Sequence, residues 1–418
     1  MSPMTATHDG SEVQVHQDAT VIGLVGFAHA SSHFFQLLLP PLFPWLMPAF
    51  GLNYTEVGSL VTVFFVVSGI GQALAGFLVD RFGSWRVLCC GVFTLILSAV
   101  LLACATNSAM LIVAAIVAGL GNCIFHPADL GLLNRRVSPA RLGHAFSVHG
   151  LSGNLGWVVS PVLMVGIASV AGWRIAVASA AALGCVSLAL LLARRRLLDD
   201  QETVAARKSA ERSSVAGSPF VFLRSPIVWM CFCYLFFATM AFGILQTFSQ
   251  VLLSQVYGLS VALSTTSLTA YLLGSAGGML TGGFVAYRAG HDRVVAGAMG
   301  GAACVALLLA SGLPPGWAVP VIMAAMGFGV GLAGPSRDLL VRQAASQGSG
   351  KAAYGRVYGF VYCGLDSGIA AVPLIVGPML DAGHYSSALY GVAVLQILAV
   401  FTVLRVGVSS RAASLNTA

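Results

Sequence analysis

Gly76-Phe77-Leu78-Val79-Asp80-Arg81-Phe82-Gly83-Ser84-Trp85-Arg86 decides the fold, because it returns about half a chain later as Gly283-Phe284-Val285-Ala286-Tyr287-Arg288-Ala289-Gly290-His291-Asp292-Arg293. Glycine, phenylalanine, arginine, glycine and arginine hold the same places in both copies, and each copy closes a long apolar run. A repeat of half the chain length that ends a membrane span each time predicts two related halves with the working site between them. Movement of a solute is the function such an architecture serves.

Composition leads to the same place by another route. The chain is 57% hydrophobic and 8% charged, with a mean hydropathy of +0.88. A soluble domain carries about 25% charged residues, so this surface is built to meet lipid. Apolar runs long enough to cross a hydrocarbon core of roughly 30 Å predict twelve spans: 20–46, 56–79, 86–105, 109–133, 143–168, 172–193, 226–250, 262–286, 294–311, 316–340, 356–380 and 386–407. The expected organisation is a tail over 1–19, a six-helix bundle over 20–193, a polar linker over 194–225, a second six-helix bundle over 226–407 and a tail over 408–418. The linker carries Arg194-Arg195-Arg196 and Asp199-Asp200 and reads as flexible or partly helical.

Placing the N-terminus in the cytoplasm puts twenty of the twenty-one basic residues on the inner side, with Arg174 alone outside. That asymmetry satisfies the positive-inside rule and predicts that both termini are cytoplasmic. The net charge of +7 is accounted for by topology, so no nucleic-acid partner is expected. The first twenty residues hold no lysine or arginine and lack the basic region of a secretory signal. The nine cysteines, at 89, 90, 104, 123, 185, 231, 233, 304 and 363, fall within predicted spans without a Cys-x-x-Cys pair, which argues for packing roles over zinc or redox chemistry. No Gly-x-x-x-x-Gly-Lys-Ser/Thr loop occurs, so an ion or solute gradient, and no bound cofactor, is expected to drive the cycle.

The paired loops, the twelve spans and the central linker resemble the major facilitator superfamily over essentially the whole chain. Phe125-His126-Pro127-Ala128-Asp129, Ser147 to Asn154, Gly334-Pro335-Ser336-Arg337-Asp338 and Gly364-Leu365-Asp366-Ser367-Gly368 resemble the branch that includes fosmidomycin-resistance-type exporters. The resemblance implies an all-α integral membrane fold of two pseudo-symmetric six-helix bundles working by alternating access. It also implies a conformational latch at Asp80 and Arg81; a tight turn held by Gly83 and Gly290 is the plainer alternative. Ser84-Trp85 stands where the family often has two basic residues, Tyr287 where an aspartate is common, and Ala114 or an apolar neighbour where antiporters often carry arginine early in span four.

Buried polar residues are expected to carry the mechanism, since ionisable groups inside a span are costly and face a cavity or a partner. His29, His33 and Gln36 share a helix face at i, i+4 and i+7, and His33 lies roughly 20 Å into the span. In the resembled fold this helix lines the central cavity. Asp366 sits far from either surface of span eleven, where protonation would relieve the cost of a buried charge; proton coupling and a static fastening of two helices are both open. Its counterpart region in span five runs from His149 to Asn154. Asp129 and Arg337 could pair as an intracellular gate with Asp338 beside them, form a static ion pair, or leave Arg337 to bind an anionic solute through its planar fork. Gln246 and Gln250 share a face of span seven.

His29, His33, His126 and Asp129 offer metal-type ligands, but the two pairs are expected at different depths, so no metal site is assigned and divalent-metal transport ranks low. An enzyme is not expected, because no nucleophile motif is present. The function these residues indicate is proton-coupled export of a small polar or anionic compound, an antibiotic or a siderophore-like metabolite, from a monomer in a bacterial-type inner membrane. Substrate contacts are expected at His29, His33, Gln36, His149, Asn154, Gln246, Gln250 and Arg337, proton coupling at Asp366 and His33, and gating at Asp80, Arg81, Asp129, Arg337 and Asp338. Uptake of an organic anion with protons is the alternative.

Overall fold

The computed structural model describes residues 6–200, 221–285, 291–348 and 354–415, with side chains over 13–200, 223–285, 291–337, 339–340 and 360–405. Most of the expected linker, Tyr287 and Gly290 of the second loop copy, and the side chain of Asp338 lie outside the described residues. Among the described residues every regular element is helical. The first half contains α1 (Ala6–Gln36), α2 (Phe43–Phe50), α3 (Tyr54–Phe82), α4 (Ser84–Ala103), α5 (Ser108–Asn122), α6 (Phe125–Arg136), α7 (Leu142–Ala171), α8 (Trp173–Ala193) and a single turn, α9 (Arg195–Leu198). The second half contains α10 (Pro226–Tyr257), α11 (Val261–Val285), α12 (His291–Ala310), α13 (Val319–Gly348), α14 (Tyr354–Asp381) and α15 (Tyr385–Leu415).

Among the described residues eleven helical stretches are long and apolar enough to cross a membrane, and the bent pair α1–α2 makes a twelfth. Their outward faces carry Phe77, Val170, Phe284 and Trp317, all largely exposed, as a lipid-facing surface requires. Two spans differ from the continuous helices expected. Span one bends by 41° between α1 and α2, where Pro40 and Pro41 form a 3-10 turn and cannot donate backbone hydrogen bonds. Span four breaks at Cys123 and Ile124 between α5 and α6, since Pro127 has no N–H to offer the Cys123 carbonyl.

Within the first half α1 packs on α7 and α4 on α5 and α8; within the second, α11 packs on α13, and α10 on α14 and α15. The two halves meet along α3 with α14 and α7 with α11, a pairing that respects the repeat. Small residues set the closest approaches. A Cβ on Gly278 would meet the Phe328 carbonyl and one on Gly331 the Ser275 carbonyl, so α11 and α13 pack backbone to backbone in the manner of small-residue membrane interfaces.

The turn at the first loop copy is fixed by Gly83, whose φ of 85° places it where side-chain-bearing residues are strained. Beyond it, Asp200 accepts hydrogen bonds from the amides of Ser84 (3.0 Å) and Trp85 (3.3 Å) and so caps α4. Arg135 donates to the same carboxylate and to Ser84 Oγ at 2.8 Å. Burial alone would raise the Asp200 carboxyl, but these amides and the guanidinium outweigh it and hold the group below the usual carboxylate range. The start of the linker is thus tied to the first half.

Candidate functional site

Three helices converge on one carboxylate. Helical spacing on α1 stacks His29 above His33 with ring centroids 4.4 Å apart. The first turn of α6 supplies His126 and, on the next, the fully buried Asp129. From α7 comes His149, whose ring stacks on His29 at 3.6 Å with the planes inclined by 22°. Asp129 Oδ2 lies 3.0 Å from His29 Nδ1 and 3.2 Å from His149 Nε2. His126 stands 5.3 Å from His29 and 6.2 Å from His33 between ring centroids. The pairs His29–His33 and His126–Asp129, expected at different depths, are therefore level. α1 begins at Ala6, well before the expected span start at residue 20, and α6 packs on it after the break in span four.

Room for these rings comes from α7. A Cβ on Gly153 would fall 2.9 Å from His33 Nδ1 and 3.0 Å from His29 Nε2, closer than contact allows. Three polar atoms of the cluster, Asp129 Oδ1 and both nitrogens of His33, have no hydrogen-bond partner among the described residues. Buried polar atoms are nearly always partnered, so these three set the cluster apart from the packed polar groups around it.

Gln36 belongs to a separate chain of hydrogen bonds. Trp157 Nε1 donates to Gln36 Oε1 at 3.1 Å, Gln36 Nε2 to Asn122 Oδ1 at 3.1 Å, and Asn122 Nδ2 to Ser68 Oγ at 2.8 Å. Four helices are joined in this way. Trp157 also packs on His33 at 4.4 Å and on Phe242 of α10 at 5.3 Å, so the histidine cluster touches the second half through one indole. Trp157, Asn122 and Ser68 carry no charge and sit in apolar surroundings, which hid them from sequence reasoning; the i, i+4 spacing of Trp157 from Gly153 was the available signal.

In the second half Gln246 is buried, and its Nε2 has no partner among the described residues. Gln250 Nε2 donates to Thr265 Oγ1 at 2.9 Å. Asn154 donates to the Gly150 carbonyl and reaches Met279 Sδ at 3.7 Å across α7 and α11. Arg337 is half-buried on α13. Asp366 lies on α14 against α3, where Gln72 Nε2 donates to it at 3.3 Å, and it borders a cleft of about 480 Å³ lined by Phe65, Val66, Ile70 and Leu74. Asp366 and the histidine cluster are thus on different helices of different halves.

The ends of the helices differ. At the arginine-rich end Asp80 is 67% exposed and stands 3.9 Å from Arg135, while the Arg81 guanidinium lies over Phe82. At the opposite end the two halves are fastened by a residue the sequence did not single out. Asp381, the last residue of α14, accepts from the amides of Tyr54 at 2.8 Å and Thr55 at 3.0 Å, and from Thr55 Oγ1 at 2.5 Å. It caps the N-terminus of α3 from the other bundle, where a helix dipole favours negative charge. Asn53 and Glu56 complete the same terminus as a capping box. Below it Thr62 Oγ1 donates to the Ala370 carbonyl at 2.8 Å.

A family model, that of the Major Facilitator Superfamily, matches residues 25–373. The chain belongs to the major facilitator superfamily. It is similar to the fosmidomycin resistance protein of Escherichia coli K12, with 25% identity over 290 residues that span 69% of this chain and 70% of that protein. The uncharacterized MFS-type transporter YfnC of Bacillus subtilis is 25% identical over 391 residues, 92% of each chain. The probable 4-methylmuconolactone transporter of Cupriavidus pinatubonensis is 31% identical over 186 residues, 42% of each. With its helical fold and multiple spans, the protein is a multi-pass membrane transporter of this superfamily and not an enzyme.

Proposed function

We propose that this chain exports a small polar or anionic compound across a bacterial inner membrane in exchange for protons, with its arginine-rich end in the cytoplasm. The observation that carries the coupling is the buried Asp129 carboxylate shared by His29 and His149. A buried carboxylate shared by two imidazoles supports this reading, because ionisable groups inside a span are costly and mark proton relays. Asp366, half-buried at the junction of α3 and α14, is a second proton carrier in this reading. The clamp of Asp381 on Tyr54 and Thr55 then closes the outer side, which leaves the solute to enter from within.

Substrate contacts are assigned to Gln36, Asn154, Gln246, Gln250 and Arg337, which offer hydrogen bonds and one planar cation for an anionic group. Asp80 and Arg81 serve the conformational change at the inner end, and Arg337 and Asp338 the inner gate; Asp129, held by His29 and His149, forms no pair with Arg337 among the described residues. The similarity to the fosmidomycin resistance protein supports export; the similarity to the probable 4-methylmuconolactone transporter supports the second reading, uptake of an organic anion with protons.

The test is flux in everted vesicles from a host lacking its own exporters, using fosmidomycin, 4-methylmuconolactone and L-galactonate. Accumulation inside everted vesicles that vanishes when a protonophore collapses the gradient is the expected result. Loss of preloaded solute under the same gradient establishes uptake, and gradient-independent flux removes proton coupling.

A further inference from the structure

We propose that His29, His126 and His149, steadied by Asp129 and with His33 in reach, form a binding site for one divalent first-row transition-metal ion inside the first bundle. One ligand-capable atom from each of the three histidines lies within 4.8 Å of the others. Metal–imidazole bonds of about 2.0–2.1 Å require nitrogens roughly 3.3–3.4 Å apart in a tetrahedron, so closing the site draws the nitrogens together by up to about 1.5 Å and turns the stacked rings of His29 and His149 until their in-plane lone pairs converge.

The donor set is chemically selective. Imidazole nitrogen suits zinc, cobalt, nickel and copper, whereas magnesium and calcium take oxygen ligands. Asp129 fixes the tautomers. An N–H on His29 Nδ1 and another on His149 Nε2 point at Oδ2, which leaves His29 Nε2 and His149 Nδ1 with free lone pairs. A carboxylate behind the ligating histidine is the arrangement that orients metal-bound imidazoles in established sites. Its negative charge also compensates an incoming cation in a dry interior.

Two further observations point to a ligand. His33 is more than nine-tenths buried beside His29, and neither of its nitrogens has a partner among the described residues. Asp129 Oδ1, fully buried, is in the same condition. His29 Nε2 and His33 Nδ1 both lie against Gly153, within 3.0 Å of where a Cβ would stand, so the two nitrogens face one place. His126, partly exposed, provides the way in.

The site shares Asp129, His29 and His149 with the proposed coupling unit, but its test is separate, because binding is read in detergent with no gradient and no solute. The full-length protein, purified without a polyhistidine tag, is titrated with cobalt(II) while visible d–d absorption is followed, and the bound cobalt is then displaced with zinc. One cobalt per chain, with the intense bands of a tetrahedral or five-coordinate site, is expected. His126→Ala and Asp129→Asn should each weaken binding at least tenfold, and His384→Ala, an exposed histidine elsewhere, should leave it unchanged. Among the described residues His126 makes no hydrogen bond, so its variant remains informative should Asp129→Asn fail to fold. Absence of the bands, or equal affinity in His126→Ala and the parent chain, overturns the proposal whatever the flux assay shows.

Discussion

The imidazoles of His29 and His149 stack at 3.6 Å while both address a single oxygen of Asp129. Both rings therefore depend on one carboxylate for their orientation, and a change at Asp129 reaches α1 and α7 together.

Replacing Asp129 with asparagine keeps the shape and removes the charge. Flux driven by a pH gradient should fall at least tenfold, while solute exchange across the membrane without a gradient persists. Parallel assays of driven flux and counterflow in the same liposomes check this; equal loss in both points to a folding role.

Asp366→Asn is expected to uncouple transport in the same pattern, with the protein still in the membrane. Because Asp366 is bonded to Gln72 of α3, a Gln72→Leu variant serves as its companion and should shift the pH at which driven flux is half-maximal. Unchanged pH-dependent flux in Asp366→Asn removes this residue from the mechanism.

Arg337→Lys preserves the charge but not the two-pronged geometry. Anionic substrates should lose about tenfold in apparent affinity and neutral ones little. Competition assays with a matched acid and its amide measure the difference, and equal transport of both by the variant reduces Arg337 to a simple charge.

Asp381→Ala removes the outer clamp on Tyr54 and Thr55. These exposed bonds together favour closure by about 1 kcal/mol, roughly fivefold in the ratio of closed to open forms. Spin-label distances between the outer ends of α3 and α14 should broaden toward longer values in the variant.

Asp200→Ala takes away the cap of α4 and the partner of Arg135. A loss of about 2 kcal/mol in detergent is expected at neutral pH. Since the folded carboxyl titrates below its ordinary value, its stabilisation is complete above about pH 4 and disappears as pH falls through the lower folded value. The gap in melting temperature between parent and variant should close in that acid window.

The repeat around Asp80 and Gly83, the apolar runs and the arginine asymmetry are properties of the sequence read in order, and from them came the helical membrane fold and the family. Spacing along α1 likewise put His29, His33 and Gln36 on one face. What spacing within a helix cannot supply is the neighbour that this face meets. That His149 completes the pair on Asp129, that Gln36 leads away through Trp157 and Asn122, and that Asp381 of one bundle caps α3 of the other depend on how twelve helices pack. Such packing is set by shape at residues like Gly153 and Gly331, where the absence of a side chain, invisible to any pattern of charge or hydropathy, lets two helices approach. That the chain crosses the membrane in two related halves can be read from the order of its residues; which of its few buried polar groups face one another is settled by packing alone.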